Sequence, residues 1–264
     1  MSRVRGLLIT VVCMLLCGCS DSSPRQLGEL NNAEPAHDAA LAAGHQPAQN
    51  HGSETLGAHE VLDRMAKRYA NCKSYRDSGV VKSVLIFPVI GKQITEKPFT
   101  TAFVRPDRFR FEFKAMVSGG EHRYLVWQGG NDVKTWWDLK SGVEKVESLG
   151  LALAGPTGIS GGSAHTIPAL LLPREVPGRR LTDLTEPKRV ADAKIDNVDC
   201  FVIDGLFGDR PMTLWIDKRT FLVRRIAERD KLDFLTRVET TTTYDPIIDD
   251  VVPDEKLAFD FPQK

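Results

Sequence analysis

Between Phe99 and Lys114 the chain reads Phe-Thr-Thr-Ala-Phe-Val-Arg-Pro-Asp-Arg-Phe-Arg-Phe-Glu-Phe-Lys. In its second half Phe109, Phe111 and Phe113 alternate with Arg108, Arg110, Glu112 and Lys114. A period of two puts all the rings on one face of a β-strand and all the charges on the other. Between the halves, Arg105-Pro106-Asp107-Arg108 supplies the preset φ of proline and a side chain able to bond its own backbone, which is the chemistry of a tight reversal. The stretch therefore predicts two antiparallel strands carrying an aromatic wall. A ribbon of two strands is not stable alone, so the wall must lie against the rest of the chain or against a ligand.

The remainder offers many strands and little helix. From Thr55 to Cys72 the apolar residues Ala58, Val61, Leu62, Met65, Ala66, Tyr69 and Cys72 fall on one helical face, with Glu60–Arg64 and Asp63–Lys67 as acid-before-base pairs on the other. Strands are expected at 79–90, 95–105, 107–116, 121–128, 133–139 and 142–148, separated by short Gly- and Asn-rich reversals, and this is the pattern of an antiparallel meander. Strands resume at 189–195, 198–207, 211–217, 221–228 and 234–244, with a short terminal one near 257–261. Between the two sets, Leu149 to Pro173 holds six leucines with several glycines and prolines, which predicts one or two short helices, apolar nearly all round and therefore buried on the sheet. About a dozen antiparallel strands must curl or close. The expected class is mainly β with helices (α+β), a curled open barrel with an N-terminal helix and a central apolar plug, and at 42% hydrophobic residues the chain can fill such a core.

The first residues resemble a bacterial lipoprotein signal. Arg3 and Arg5 precede an apolar run from Gly6 to Leu16, too short to span a bilayer, and Leu16-Cys17-Gly18-Cys19 resembles a lipobox. The resemblance implies a signal peptide over 1–18, acylation of Cys19, and a flexible tether over 19–53 ahead of one domain at 54–264. Two or more acyl chains at about 0.8 kcal/mol per methylene anchor stably where one does not. By resemblance to the enterobacterial sorting rule, Ser20 after the cysteine, rather than Asp, favours the outer membrane, facing the periplasm. The tether, rich in Ala, Asn, Gln, Gly, Pro and His, spans roughly 30 Å as a flexible chain. In an oxidising envelope Cys72 and Cys200 can pair as a disulfide; equally, each lies on an apolar stripe and can be a buried thiol.

Charge names no partner: 35 basic residues balance 35 acidic ones, so nothing calls for nucleic acid. His37, His45, His51 and His59 are scattered without the cysteine or carboxylate spacing of a metal site, so neither metal nor cofactor is expected. Gly158-Ile159-Ser160-Gly161-Gly162 matches much of a nucleophile elbow, but Pro156 interrupts the strand such an elbow needs and the last histidine, His165, follows only five residues later. The run reads as a glycine hinge within the plug. Trp136 and Trp137 face opposite ways on a strand, and Asp204, Asp209 and Asp217 fall at strand ends and turns rather than as an acid pair. No catalytic constellation remains.

Val61-Leu62-Asp63-Arg64 leading to Lys73-Ser74-Tyr75-Arg76-Asp77, the Phe103 to Phe111 stretch, Leu214-Trp215-Ile216-Asp217 with Val223-Arg224-Arg225, and the tail from Tyr244-Asp245-Pro246 to Phe261-Pro262 resemble the LolA/LolB-like lipoprotein-localisation superfamily over roughly 55–261. The resemblance implies a curled sheet whose concave side binds acyl chains of a lipid or a lipoprotein; some members instead sense envelope stress through a protein partner. Carried onto this chain, it implies a cavity lined by Phe103, Phe109, Phe111, Phe113, Trp127 and Trp215 and lidded by Leu170 and Leu171. Burial of acyl surface at about 25 cal/mol per Å² needs no covalent chemistry.

Overall fold

A computed structural model of the protein describes residues 56–89, 91–233 and 235–261. The expected signal segment, Cys19 and the tether lie outside the described residues. Helix α1 (Ala58–Asn71) leads into strands β1 (Ser74–Phe87), β2 (Gly91–Val104), β3 (Arg108–Val117), β4 (Gly120–Gly129), β5 (Asp132–Trp137) and β6 (Val143–Lys145). Two helices follow, α2 (Leu149–Thr157) and α3 (Ser163–Leu171), and then β7 (Thr185–Arg189), β8 (Ala193–Ile195), β9 (Val198–Phe207), β10 (Arg210–Asp217), β11 (Val223–Lys231), β12 (Arg237–Tyr244) and the short β13 (Ile247–Ile248).

The strands form one sheet in the order β6-β5-β4-β3-β2-β1-β12-β11-β10-β9-β7, with β8 added to β9 and β13 to β1. Every described pairing is antiparallel, and the sheet stays open between β6 and β7, a curled α+β barrel left unclosed. Two meanders are joined at a single seam, β1 against β12, where Gly79 faces Tyr244 and Ile86 faces Arg237. Pairing fixes which side chains share a face: Phe103 opposes Phe109, Thr101 opposes Phe111 and Phe99 opposes Phe113, so these side chains point one way. That face carries the core, where Val126, Ile203, Leu214, Ile216 and Val223 meet Val61, Leu62, Met65 and Tyr69 of α1 and Leu153, Ile167 and Leu171 of α2 and α3.

The helix over 55–72 is present as α1, with the Glu60–Arg64 pair made at 2.6 Å between exposed side chains and so adding only a few tenths of a kcal/mol. The strand over 189–195 is two pieces, β7 and β8, because the chain leaves the ladder between Arg189 and Ala193. The terminal strand near 257–261 is not formed. Instead, the residues after β13 cross the outer face of the sheet as a strap, pinned by Arg76–Asp250 (3.0 Å), Arg108–Asp254 (2.6 Å), Arg110–Asp260 (2.8 Å) and Arg123–Asp260 (2.9 Å). Two of these arginines, Arg108 and Arg110, alternate with the phenylalanines of β3, so an ion-pair ladder replaces a backbone ladder.

Candidate functional site

The aromatic wall is larger than the two strands that announced it. Rings succeed one another across the sheet: Trp137 against Tyr124 at 5.7 Å, Tyr124 against Phe113 at 5.6 Å, Phe113 against Phe111 at 6.2 Å, Phe111 against Phe99 at 6.2 Å, and Phe99 against Tyr244 at 5.5 Å. The last contact crosses β1, and Gly79 makes it possible. Gly79 lies opposite both Phe99 and Tyr244, and a Cβ there would overlap a ring carbon of Phe99 and the carbonyl oxygen of Thr243. Phe103 and Phe109 form the end of the wall near the β2–β3 turn, 6.5 Å apart.

Phe103, Phe109, Phe111 and Phe113 therefore share the inner face, and Leu170 and Leu171 of α3 belong to the same buried cluster. The phenylalanines of the wall are covered, with Phe103, Phe109 and Phe111 0% exposed, while Tyr124 and Trp137 at its edge stay half-buried. Trp127 and Trp215 are elsewhere, which corrects the expected lining. Trp127 pairs with Arg110 and Lys134 on the outer face, where its indole N–H donates to the Leu257 carbonyl at 2.7 Å and its ring packs on Phe259 of the strap. Trp215 also faces outward, between Met212, Leu214 and Ile216, which point in, and 5.7 Å from the Arg225 guanidinium. Each sits next to a core position, Val126 or Leu214 and Ile216, and strand alternation turns it to the opposite face. Cys72 and Cys200 are free, buried thiols rather than a disulfide; Cys72 joins the inner cluster, which does not include Cys200. Burial pushes the Cys72 thiol up to about 11 despite the nearby Arg105 charge, and burial also raises Cys200.

The plug is a helical hairpin with its own sequence logic. Ser148 caps α2 by accepting from the Leu151 amide at 3.3 Å, and α2 is apolar all round, with Leu151 left exposed. Pro156 and Pro168 lie inside α2 and α3, so each helix lacks a backbone donor. Between them Gly161 and Gly162 have φ of +67° and +88°, a left-handed reversal that favours glycine. Ser160 is buried in this turn; its hydroxyl donates to the Thr157 carbonyl and accepts from the Ala164 amide, both at 3.1 Å. His165 is turned to the Pro177 carbonyl at 2.9 Å. The glycine-serine run is thus a hinge with its hydroxyl already engaged.

Two side chains hold the plug down. Lys97 donates to the Ile159 carbonyl at 2.6 Å, at the hinge. At the other end Arg105 donates to Ala70 and Cys72 carbonyls at the end of α1, at 2.5 and 2.7 Å, and to the Leu171 carbonyl at the end of α3, at 2.8 Å. The guanidinium thus ties two helix C-termini together, where partial negative charge favours a cation. Sequence reading treated Arg105 as a turn residue only, and nothing local in the sequence names the carbonyls it reaches.

A second feature was missed. On the inner face of β1, Asp77 is buried; its carboxylate accepts from the Tyr75 hydroxyl at 2.7 Å and from the Thr101 amide at 2.9 Å. Burial raises its pKa from 3.8 to about 6, against the lowering effect of those hydrogen bonds. Tyr69 completes the polar island by accepting from the Val223 amide at 3.0 Å, with its ring 5.6 Å from Tyr75. The signal was available: Tyr75, Asp77, Gly79 and Val81 are two apart, which places an acid on the inward face. Among the described residues no group of three or more His, Cys, Asp or Glu side chains is arranged to hold a metal ion, and no helix is long and apolar enough to cross a membrane.

No protein-family profile matches the chain, and no curated protein matches it. Among solved structures it is similar to the LolA superfamily protein NE2245 from Nitrosomonas europaea, at 12% identity over 77% of this chain and 98% of that one, with a TM-score of 0.32. It is also similar to LprF from Mycobacterium bovis, at 13% identity over 74% and 94%, with a TM-score of 0.40. A putative outer membrane lipoprotein-sorting protein domain from Vibrio parahaemolyticus gives 12% identity over 76% and 95%, with a TM-score of 0.33.

Proposed function

We propose that this protein is an envelope lipoprotein, anchored through Cys19 in the outer membrane and facing the periplasm, whose domain takes acyl chains of a lipid or a lipoprotein onto the aromatic wall when α2 and α3 swing away. The observation that carries the reading is the construction of the plug: an apolar hairpin, hinged on Gly161 and Gly162, covers the wall and is fixed at its two ends by Lys97 and Arg105. Bonds from a charged donor are worth about 1.5–3 kcal/mol each, so the closed state is held by a sum that burying an acyl chain at about 25 cal/mol per Å² can offset. The protein binds and releases; no bond is made or broken.

A disulfide staple tests this. A Cβ at Gly161 would lie 3.7 Å from the Val81 Cβ, close to the spacing of about 3.8 Å that disulfides adopt. Val81→Cys with Gly161→Cys, at a cost of about 1 kcal/mol for a side chain in the left-handed region, should lock the plug when oxidised and free it when reduced. Uptake of a fluorescent fatty acid should occur only in the reduced protein. Equal uptake in both states would remove the plug from the mechanism. The complete burial of Phe103, Phe109 and Phe111 favours a second reading, an envelope interaction or stress-sensing protein whose wall is permanently self-filled. That reading wins if neither state takes up the probe and the protein purified from a periplasm without detergent yields no acyl lipid on extraction.

A further inference from the structure

Two hairpins end side by side at one end of the sheet. The described pairing of β2 with β3 stops at Phe99–Phe113, so Gly91–Pro98 of β2 pair only with β1 and the β1–β2 hairpin projects as an arm of about 25 Å. The β11–β12 reversal lies next to it, since Arg237 pairs with both Ile86 and Lys231. At the tips the aliphatic side chains are in water: Val89 is 94% exposed, Leu235 63%, Ile94 57% and Leu232 54%. The second tip is held in shape, because Asp233 accepts from the amides of Leu235 and Thr236 at 2.8 and 2.7 Å and Leu232 N–H donates to the Thr236 carbonyl at 3.0 Å. Preformed tips that keep leucines out of the core need an apolar environment elsewhere.

We propose that these paired tips dock the domain on a lipid bilayer surface, inserting Val89, Ile94, Leu232 and Leu235 among the acyl chains. Three observations favour lipid over a protein partner. The large apolar side chains exposed among the described residues of either tip are aliphatic, with no tryptophan or tyrosine, the aromatic anchors of protein hot spots. Behind the tips a cleft of ≈ 630 Å³ is lined by Arg210, Arg229, Lys231 and Arg237, whose long stems can reach a headgroup layer. Asp209, Asp230 and Glu239 line the same cleft and nearly cancel that charge, so the attraction is apolar and does not require anionic lipid. The third is length: under the proposed anchoring through Cys19, only residues 20–53 separate the acylated cysteine from the domain, which would keep it beside that membrane.

The location deepens the proposed function and rests on it for the direction of traffic. The plug hinge lies toward the same end: Gly161 packs on Val81, six residues up β1 from Phe87, about 20 Å along the strand. An acyl chain leaving the bilayer along the arm meets the hinge first.

The test uses the chain from Ser20 onward, without the acylated cysteine, sedimented with vesicles of phosphatidylcholine and, separately, of phosphatidylethanolamine with phosphatidylglycerol. Binding to both, changing less than about threefold between roughly 0.05 and 0.5 M salt, is expected. Val89→Asp and Leu235→Asp should each weaken it about tenfold or more while leaving the thermal melt unchanged. A solvatochromic dye on Val89→Cys should shift to the blue with vesicles. Absence of binding, binding only to the anionic vesicles that high salt abolishes, or binding indifferent to both substitutions would each overturn the proposal. Self-association lost in the two variants, without vesicle binding, would assign the tips to a second copy instead. Fatty-acid uptake is measured without vesicles, so its failure would sink the acyl-binding reading while leaving docking standing.

Discussion

Asp77 holds its carboxyl where ionisation is penalised, and the penalty has a direction. The unfolded chain releases this proton near pH 3.8 and the folded chain near 6, so between those values the folded state binds the extra proton. Stability therefore falls as pH rises through that window, by about 3 kcal/mol from this group, and stays lower above it. Asp217 works in a separate range: against the penalty of burial, the Arg219 and Thr220 amides hold it below its ordinary value, so its contribution is lost only at more acid pH. Urea unfolding at about pH 4.5 and about pH 7 should show the loss in the wild type and a flattened dependence in Asp77→Asn; identical slopes would refute the assignment. Arg105→Leu should strip the tie between α1 and α3, lowering stability by about 2 kcal/mol and speeding amide exchange in α3 more than in α1. Exchange unchanged in α3 would show that packing alone fixes the helix. Both residues illustrate what a sequence conceals. Asp77 was legible by parity with Tyr75 and Val81, but Arg105 acquires its partners from α1 and α3, 33 or more positions away in either direction.

The elements divide along the same line. Period-two alternation in Phe109, Phe111 and Phe113 was enough to place the wall, and the all-round apolar Leu149–Pro173 segment was enough to place the plug against it, because both patterns are set by local geometry. Faces failed where an outward ring finds a partner on the outer side: Trp127 and Trp215 look like lining until the strap packs on the first and the Arg225 guanidinium lies over the second. The expected strand at 257–261 failed because Asp254 and Asp260 serve as acids for Arg108, Arg110 and Arg123, a tertiary role with no periodic signature. Gly79 shows how narrowly the wall is fitted. Gly79→Ala should destabilise the domain by about 3 kcal/mol or more through overlap with Phe99 and Thr243, and a chemical melt at wild-type midpoint would mean that the two rings separate without penalty.

For the whole molecule, the strap and the seam decide what counts as the outside. Ending the chain after Val252 removes Phe259 and Phe261 from Trp127 and Trp136. Tryptophan emission should then move to the red, and about 3 kcal/mol or more of stability should go with it; an unshifted spectrum would place the strap off those rings in solution. The seam has a further consequence, in time rather than in space. Gly79 finds Tyr244 at a sequence separation of 165 (244 minus 79), so the meander from β1 to β6 can form early but keeps an unpaired edge until the last long strand has emerged. Closing so distant a pair is slow. Until then the open β1 edge is a ready template for pairing with another chain, and it is the part of the forming sheet most exposed to aggregation.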